Sequence, residues 1–139
     1  MVSIREKNDE LTPREQLDFL RGLSETMPES IMITTTEDCS EKPTILYVNQ
    51  SFSRLTGFQP TEVIGRTPGI LQGHRTDRGV LDRLKVNLKN QEPFHGRTFN
   101  YRKNGEEFVM DWEIVPFHTP NGNRSFYLTI QREADVQSD

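Results

Sequence analysis

Hydrophobic residues recur along this chain at two different spacings, which predict helices in some segments and strands in others. The first periodic segment follows Thr12, a good helix N-cap, and stops before Pro28. Its apolar side chains share helical spacing and predict one buried stripe, formed by Leu17, Leu20, Leu23 and Met27. Phe19 lies off this stripe. The helix is therefore expected either to cover the chain's own core or to use the additional apolar surface in a dimer.

Strand and short-helix patterns follow this segment. Ser30–Thr36 and Thr44–Val48 are rich in β-branched and apolar residues and predict two strands, joined by a polar loop over residues 37–43. Capping and stop signals then predict a helix over Gln50–Thr56 after Asn49, another from Pro60 to Gly65, and a longer one after Asp77. The longer helix has one apolar stripe, formed by Val80, Leu81, Leu84 and Leu88.

The last third of the chain has the two-residue period of strands. Asn104-Gly105 and Asn121-Gly122 are strong signals for hairpin turns. They separate predicted strands at Arg97–Lys103, Glu106–Val115 and Ser125–Arg132. We therefore expect an α+β fold: a five-stranded antiparallel sheet, short helices inserted between strands two and three, and an N-terminal flanking helix. The domain is expected over residues 26–133, between a flanking segment at 1–25 and a tail at 134–139.

Composition narrows the function classes. The 139 residues suit one domain, and 17 basic against 21 acidic residues give a net charge of −4 without a basic stripe, which argues against nucleic-acid binding. No apolar run reaches the roughly 18 residues of a membrane helix, and the N-terminus lacks the apolar core of a signal peptide. The single Cys39 allows no internal disulfide. A cytoplasmic protein without membrane contact is the expectation.

Several short motifs occur at the intervals of a known family. They are Tyr47–Asn49, Leu55–Phe58, Glu62–Arg66, Leu71–Gly73 and Asn100–Lys103. With them, residues 26–133 resemble the LOV branch of the PAS family, the flavin-binding blue-light domains, whose element order matches the fold predicted above. The resemblance implies a PAS fold and a role in sensing or signal relay.

Gly65–Gly73 resembles the LOV signature G-R-N-C-R-F-L-Q-G, whose cysteine adds covalently to the photoexcited flavin. Pro68 stands at the cysteine's position and has no nucleophile. Cys39, far away in the first hairpin loop, is expected to be a bystander. The chain is therefore expected to lack the cysteinyl-adduct photochemistry of the family.

The resemblance also implies a flavin site, with FMN favoured over FAD. The positions that would hold it are Thr67, Gln72, Lys85, Asn100 and Gln131. Primary amides suit the alternating donors and acceptors of a flavin edge. Among the departures from the family, Gly69 and Lys85 replace phosphate-binding arginines, and Met110 replaces an amide. FMN binding and a pocket filled by Met110, Trp112 and Ile114 both remain open.

No other group of residues predicts chemistry. Asp111 and Glu113 alternate with apolar neighbours and are expected on the solvent face of a strand. His74, His95 and His118 lack ligand spacing and are expected in surface loops, so neither a metal site nor an enzyme is predicted. We expect a homodimer that signals to a separate output protein or to the rest of a longer chain. The alternatives are a ligand-free PAS interaction module and a flavin redox sensor.

Overall fold

The computed structural model describes residues 12–36, 42–118 and 125–135. Its elements in chain order are α1 (Pro13–Ser24), β1 (Ser30–Thr36), β2 (Thr44–Val48), α2 (Gln50–Thr56), α3 (Pro60–Val63), a 3-10 helix (Pro68–Leu71), α4 (Arg78–Lys89), β3 (Phe94–Tyr101), β4 (Glu107–His118) and β5 (Ser125–Glu133). Cys39 and the predicted turn at Asn121-Gly122 lie outside the described residues. Among the described residues, no helix is long and apolar enough to cross a membrane.

The five strands form one antiparallel sheet in the order β2-β1-β5-β4-β3, which confirms the predicted α+β fold. β3 begins at Phe94, three residues earlier than predicted, because Phe94, Gly96 and Thr98 alternate as buried positions along it. Their partners on β4 are Ile114, Trp112 and Met110, so the early part of β3 belongs to the same buried face. The pleat therefore divides the sheet into an inner face, towards α2, α3 and α4, and an outer face, towards α1.

Helix α1 begins with a capping box at Thr12, the predicted N-cap. The backbone N–H of Glu15 donates to Thr12 Oγ1 at 3.1 Å, and the backbone N–H of Thr12 donates to Glu15 Oε1 at 3.0 Å. Leu17 and Leu20 pack on the outer face of the sheet, as predicted. The prediction for Leu23 was wrong, since 55% of it is exposed.

The reason lies in the helical period. Ser24, seven residues after Leu17, continues the buried line, and its Oγ donates to the backbone oxygen of Leu20 at 2.7 Å. Leu23 is turned away from the sheet. Met27, beyond the helix end, completes the contact with the outer face.

Asn49 joins three elements. As predicted, it caps α2, with Oδ1 accepting from the backbone N–H of Phe52 at 3.1 Å. The same oxygen accepts from the N–H of Ile31 at 2.9 Å, while Nδ2 donates to the backbone oxygens of Ser24 and Glu29 at 2.9 Å. This buried side chain therefore fastens the end of α1 and the start of β1 to α2.

Candidate functional site

The structure places the five predicted flavin-site residues in different environments. Asn100 on β3 and Gln131 on β5 are buried on the inner face of the sheet, with 6% and 4% of their surfaces exposed. Thr67 is half-buried just before the 3-10 helix, while Gln72 at the end of that helix and Lys85 on α4 are exposed. The fold therefore buries two of the five residues and leaves two at the surface.

The two buried amides do not bind each other. Gln131 Oε1 accepts from Ser30 Oγ at 2.9 Å. The two amides are not partners, because Asn100 lies opposite Phe108 on β4 and Gln131 lies opposite Trp112, four residues further along. That offset is about 13 Å along the strand.

Aromatic and aliphatic side chains occupy the inner face between β3 and β4. Phe94, Met110, Trp112 and Ile114 are buried there, in one cluster with Val63 and Leu71. The rings of Phe94 and Trp112 have their centroids 5.7 Å apart at an angle of 49°. Val80, Leu84 and Leu88 of α4 pack against this cluster. The helix layer and the sheet are therefore in direct side-chain contact.

Two open depressions mark the surface of the described residues. One, of about 420 Å³, is lined by residues of β2 and α2 and the chain around them. The other, of about 290 Å³, lies where β1 begins and β5 ends, and Gln131 contributes to its wall. No residue of α4, β3 or β4 lines either depression. Both therefore lie outside the layer between α4 and the sheet.

The comparison with known families agrees with this architecture. The PAS domain family matches residues 28–134, which include the whole sheet and all the helices except α1. This chain belongs to the PAS domain family.

Curated relatives of this PAS domain are much longer proteins. A nitrogen fixation regulatory protein of Klebsiella oxytoca is 30% identical over 117 residues, which are 83% of this chain and 23% of that protein. A blue-light-activated histidine kinase of Brucella canis is 31% identical over 106 residues, which are 76% of this chain and 22% of the kinase. The chain thus spans less than a quarter of either relative.

Solved structures place the PAS domain beside LOV domains. The LOV domain of a blue-light-activated histidine kinase from Erythrobacter litoralis superposes with a TM-score of 0.68 at 30% identity, covering 77% of this chain and 96% of that one. A structure described as "Flavin Analogue Sheds Light on Light-Oxygen-Voltage Domain Mechanism" superposes with a TM-score of 0.72 at 28% identity, covering 87% and 86%. The fold is thus a LOV-like PAS fold.

A flavin does not fit the PAS domain in this arrangement of side chains. Pockets for ligands of such size measure roughly 300–1,000 Å³. The layer above β3 and β4, however, is filled by Phe94, Trp112 and their neighbours. Of the two positions that the family resemblance assigns to the phosphate, Gly69 offers no side chain and Lys85 is exposed. Of the predicted contacts, only Asn100 and Gln131 are buried on the inner face.

A charged cluster on the outer face was missed at the sequence level. Asp111 was predicted to face solvent, but only 6% of it is exposed. Its Oδ1 accepts from His95 Nε2 at 2.9 Å and Arg132 Nη1 at 3.0 Å, and its Oδ2 accepts from Arg97 Nε and Nη2 at 3.1 and 2.9 Å. His95 therefore lies on β3 within this cluster, and the prediction of a surface loop was wrong for it.

Strand register explains the cluster. Arg97, Asp111 and Arg132 are direct cross-strand partners on β3, β4 and β5. Opposite charges at directly paired positions attract. Burial opposes ionisation of Asp111, but the hydrogen bonds from His95 and Arg97 outweigh it and hold the pKa of the carboxyl below its usual value. The residue types were visible in the sequence, whereas their pairing required the register of three strands.

Proposed function

We propose that this PAS domain is a signal-relay module that acts as a homodimer through α1. The observation that carries the proposal is the pair Phe19 and Leu23, which are 58% and 55% exposed on the helix that covers the outer face of the sheet. The two side chains are four residues apart and therefore lie on the same side of the helix. An apolar pair of this kind on a surface helix suits contact with the same pair of a second copy.

Contacts between α1 and the sheet support a relay role. Tyr47 Oη on β2 donates to Glu25 Oε1 at 2.7 Å, and the Ser51 hydroxyl on α2 donates to the backbone oxygen of Met27 at 2.8 Å. Together with the contacts of Asn49, they tie the segment after α1 to β1, β2 and α2. A shift of the sheet would therefore move α1, and a dimer formed through α1 would pass that movement to the second copy. From there the signal would reach a separate output protein or further segments of the chain.

The test is the oligomeric state of the full chain and of Phe19→Glu by sedimentation velocity. A carboxylate in the apolar contact should weaken dimerisation by roughly tenfold or more. Val86→Glu on α4 is the matched control, because Val86 is an equally exposed apolar residue, at 57%, on a helix outside the proposed contact. A full chain that is monomeric at tens of micromolar, or equal weakening by both variants, would rule the proposal out.

FMN sensing is the second candidate function, and one observation favours it. Asn100 is buried on the inner face of the sheet, and its carboxamide carries both a donor and an acceptor, which suit the edge of a flavin. For an isoalloxazine ring to reach it, the side chains of Trp112 and Phe94 would have to move. Gel filtration of the full chain with added FMN tests this candidate, since bound flavin would elute with the protein and absorb in the visible range. If all the FMN elutes separately from the protein, FMN sensing is ruled out.

A further inference from the structure

We infer that Trp112 is a built-in aromatic occupant of the layer between α4 and the sheet, which holds this layer closed without a bound cofactor. The indole lies on the central part of β4, between Gly96 of β3 and Gln131 of β5 in the strand register. It is buried, and Phe94 packs against it. The inference concerns the inner face and is independent of the proposed dimer on the outer face.

Gly96 provides the space that this arrangement needs. A Cβ atom at this position would come within 2.5 Å of the Phe94 ring and 3.1 Å of Val80 on α4. The φ of Gly96 lies outside the left-handed region, so the requirement for glycine here is one of volume and not of backbone conformation. The missing side chain thus lets the Phe94 ring and α4 close over the inner face beside Trp112.

A cation on α4 also contacts the Phe94 ring. The guanidinium carbon of Arg83, on α4, lies 5.3 Å from the centroid of the ring. The Phe94 ring is therefore in contact with both a cation on the helix and the indole of Trp112, and these contacts favour an ordered ring. This contact adds a second link between α4 and the aromatic pair.

Hydrogen bonds fasten the start of α4 to β3. The backbone N–H of Asp77, the N-cap of α4, donates to Thr98 Oγ1 at 2.8 Å, and the Thr76 hydroxyl donates to the backbone oxygen of Phe99 at 2.8 Å. Thr98 is an inner-face residue of β3, next to Asn100 on the same side of the strand. Its hydroxyl thus binds the helix start, and the layer is closed by both apolar packing and hydrogen bonds.

Trp112 is the only tryptophan of the chain, so its fluorescence reports on this layer directly. In the unmodified full chain, we expect emission typical of a buried indole, weak quenching by iodide, and no specific change when FMN is added. Free tryptophan amide mixed with FMN at the same concentrations corrects for light absorbed by the flavin. Saturable quenching by FMN, or strong quenching by iodide, would overturn the inference.

A cavity variant tests the same point independently. Trp112→Ala should lower the urea midpoint, and added indole should raise that midpoint again, because apolar cavities bind aromatic molecules of matching size. Phe126→Ala is the control: Phe126 is also buried, at 4% exposure, but it stacks on Phe117 of β4 away from the inner cluster. Indole that stabilises both variants equally would contradict a specific site at Trp112.

Trp112→Phe covers the case in which the alanine variant does not fold. The smaller ring still fills part of the layer, so this variant should fold and should gain no FMN binding. A urea midpoint for Trp112→Phe equal to that of the unmodified chain, measured by circular dichroism, would overturn the inference, because the indole would then fill no space that the layer needs. Failure of all these tests would leave the proposed dimer intact, since sedimentation measures it separately.

Discussion

Replacing Asp111 by Asn should destabilise the fold through the outer-face cluster of Asp111, His95, Arg97 and Arg132. The substitution keeps the shape of the side chain but removes the charge that accepts hydrogen bonds from all three partners. Breaking a buried ion pair by removing one partner costs about 3–5 kcal/mol, whereas exposed pairs contribute about 0–1 kcal/mol.

The geometry places Asp111 between these limits. The carboxylate is buried, but the side chains of Arg97 and Arg132 are 57% and 47% exposed and can be hydrated when the charge is lost. We therefore expect a loss of about 2 kcal/mol. With a urea dependence of about 2 kcal/mol per molar, the unfolding midpoint should fall by roughly 1 M.

The assay is urea unfolding followed by the fluorescence of Trp112, at a fixed protein concentration. Glu113→Gln is the matched control, because Glu113 lies two residues away on the same face and is exposed; its effect should stay within about 0.5 kcal/mol. Equal midpoints for the two variants would refute the role of the cluster.

The pH dependence provides a second check on Asp111. Because its pKa is lowered in the folded state, its contribution is present above the ordinary value of 3.8 and is lost as the pH falls through the folded-state pKa. The difference between the unmodified chain and Asp111→Asn should therefore be full at neutral pH and shrink below 3.8. A difference that persists unchanged at low pH would show that charge is not its cause.

Three further outcomes are expected. With flavin supplied, blue light should produce no reversible bleach with a thiol-adduct spectrum, because Pro68 stands at the adduct position; such a bleach would show that another residue supplies the thiol. If FMN binds, Asn100→Leu should reduce the amount of FMN that the protein retains by roughly tenfold, because the buried edge of the flavin loses about 1–3 kcal/mol of hydrogen bonding. Unchanged retention of FMN would show that the flavin ring does not contact Asn100. Gly96→Ala should lower the melting temperature, because the new methyl group would collide with the Phe94 ring. Gly22→Ala is the control and should raise the melting temperature slightly, since no atom lies within 4 Å of its new methyl group. The opposite result for the two variants would show that packing does not require glycine at position 96.

The sequence by itself determined the elements and their order, because the signals for these are local. The capping box at Thr12, the cap at Asn49 and the stop at Gly57, which has φ +83°, each depend on a few neighbouring residues. The alternation along the last strands likewise assigns side chains to faces without knowledge of the partners. The fold class followed from these patterns, whereas the family resemblance rested on sequence motifs; both were confirmed.

Tertiary structure decided which of those side chains meet. Asn100 and Gln131 were both predicted as flavin contacts, but the bond from Ser30 to Gln131 depends on the pairing of β1 with β5. The period of α1 alone did not show that Leu23 turns away from the sheet, since this depends on where the helix rests.

The same limit applies to the Asp111 cluster and to the layer around Trp112. Asp111 is buried because β3 and β5 bring arginines to both sides of it, and Trp112 fills the inner layer because Gly96 lies opposite. Charge pairing and steric exclusion act over a few ångströms between residues that are distant in sequence. Whether a buried layer is filled by the chain or left for a ligand is therefore fixed by the register of the strands and the position of α4.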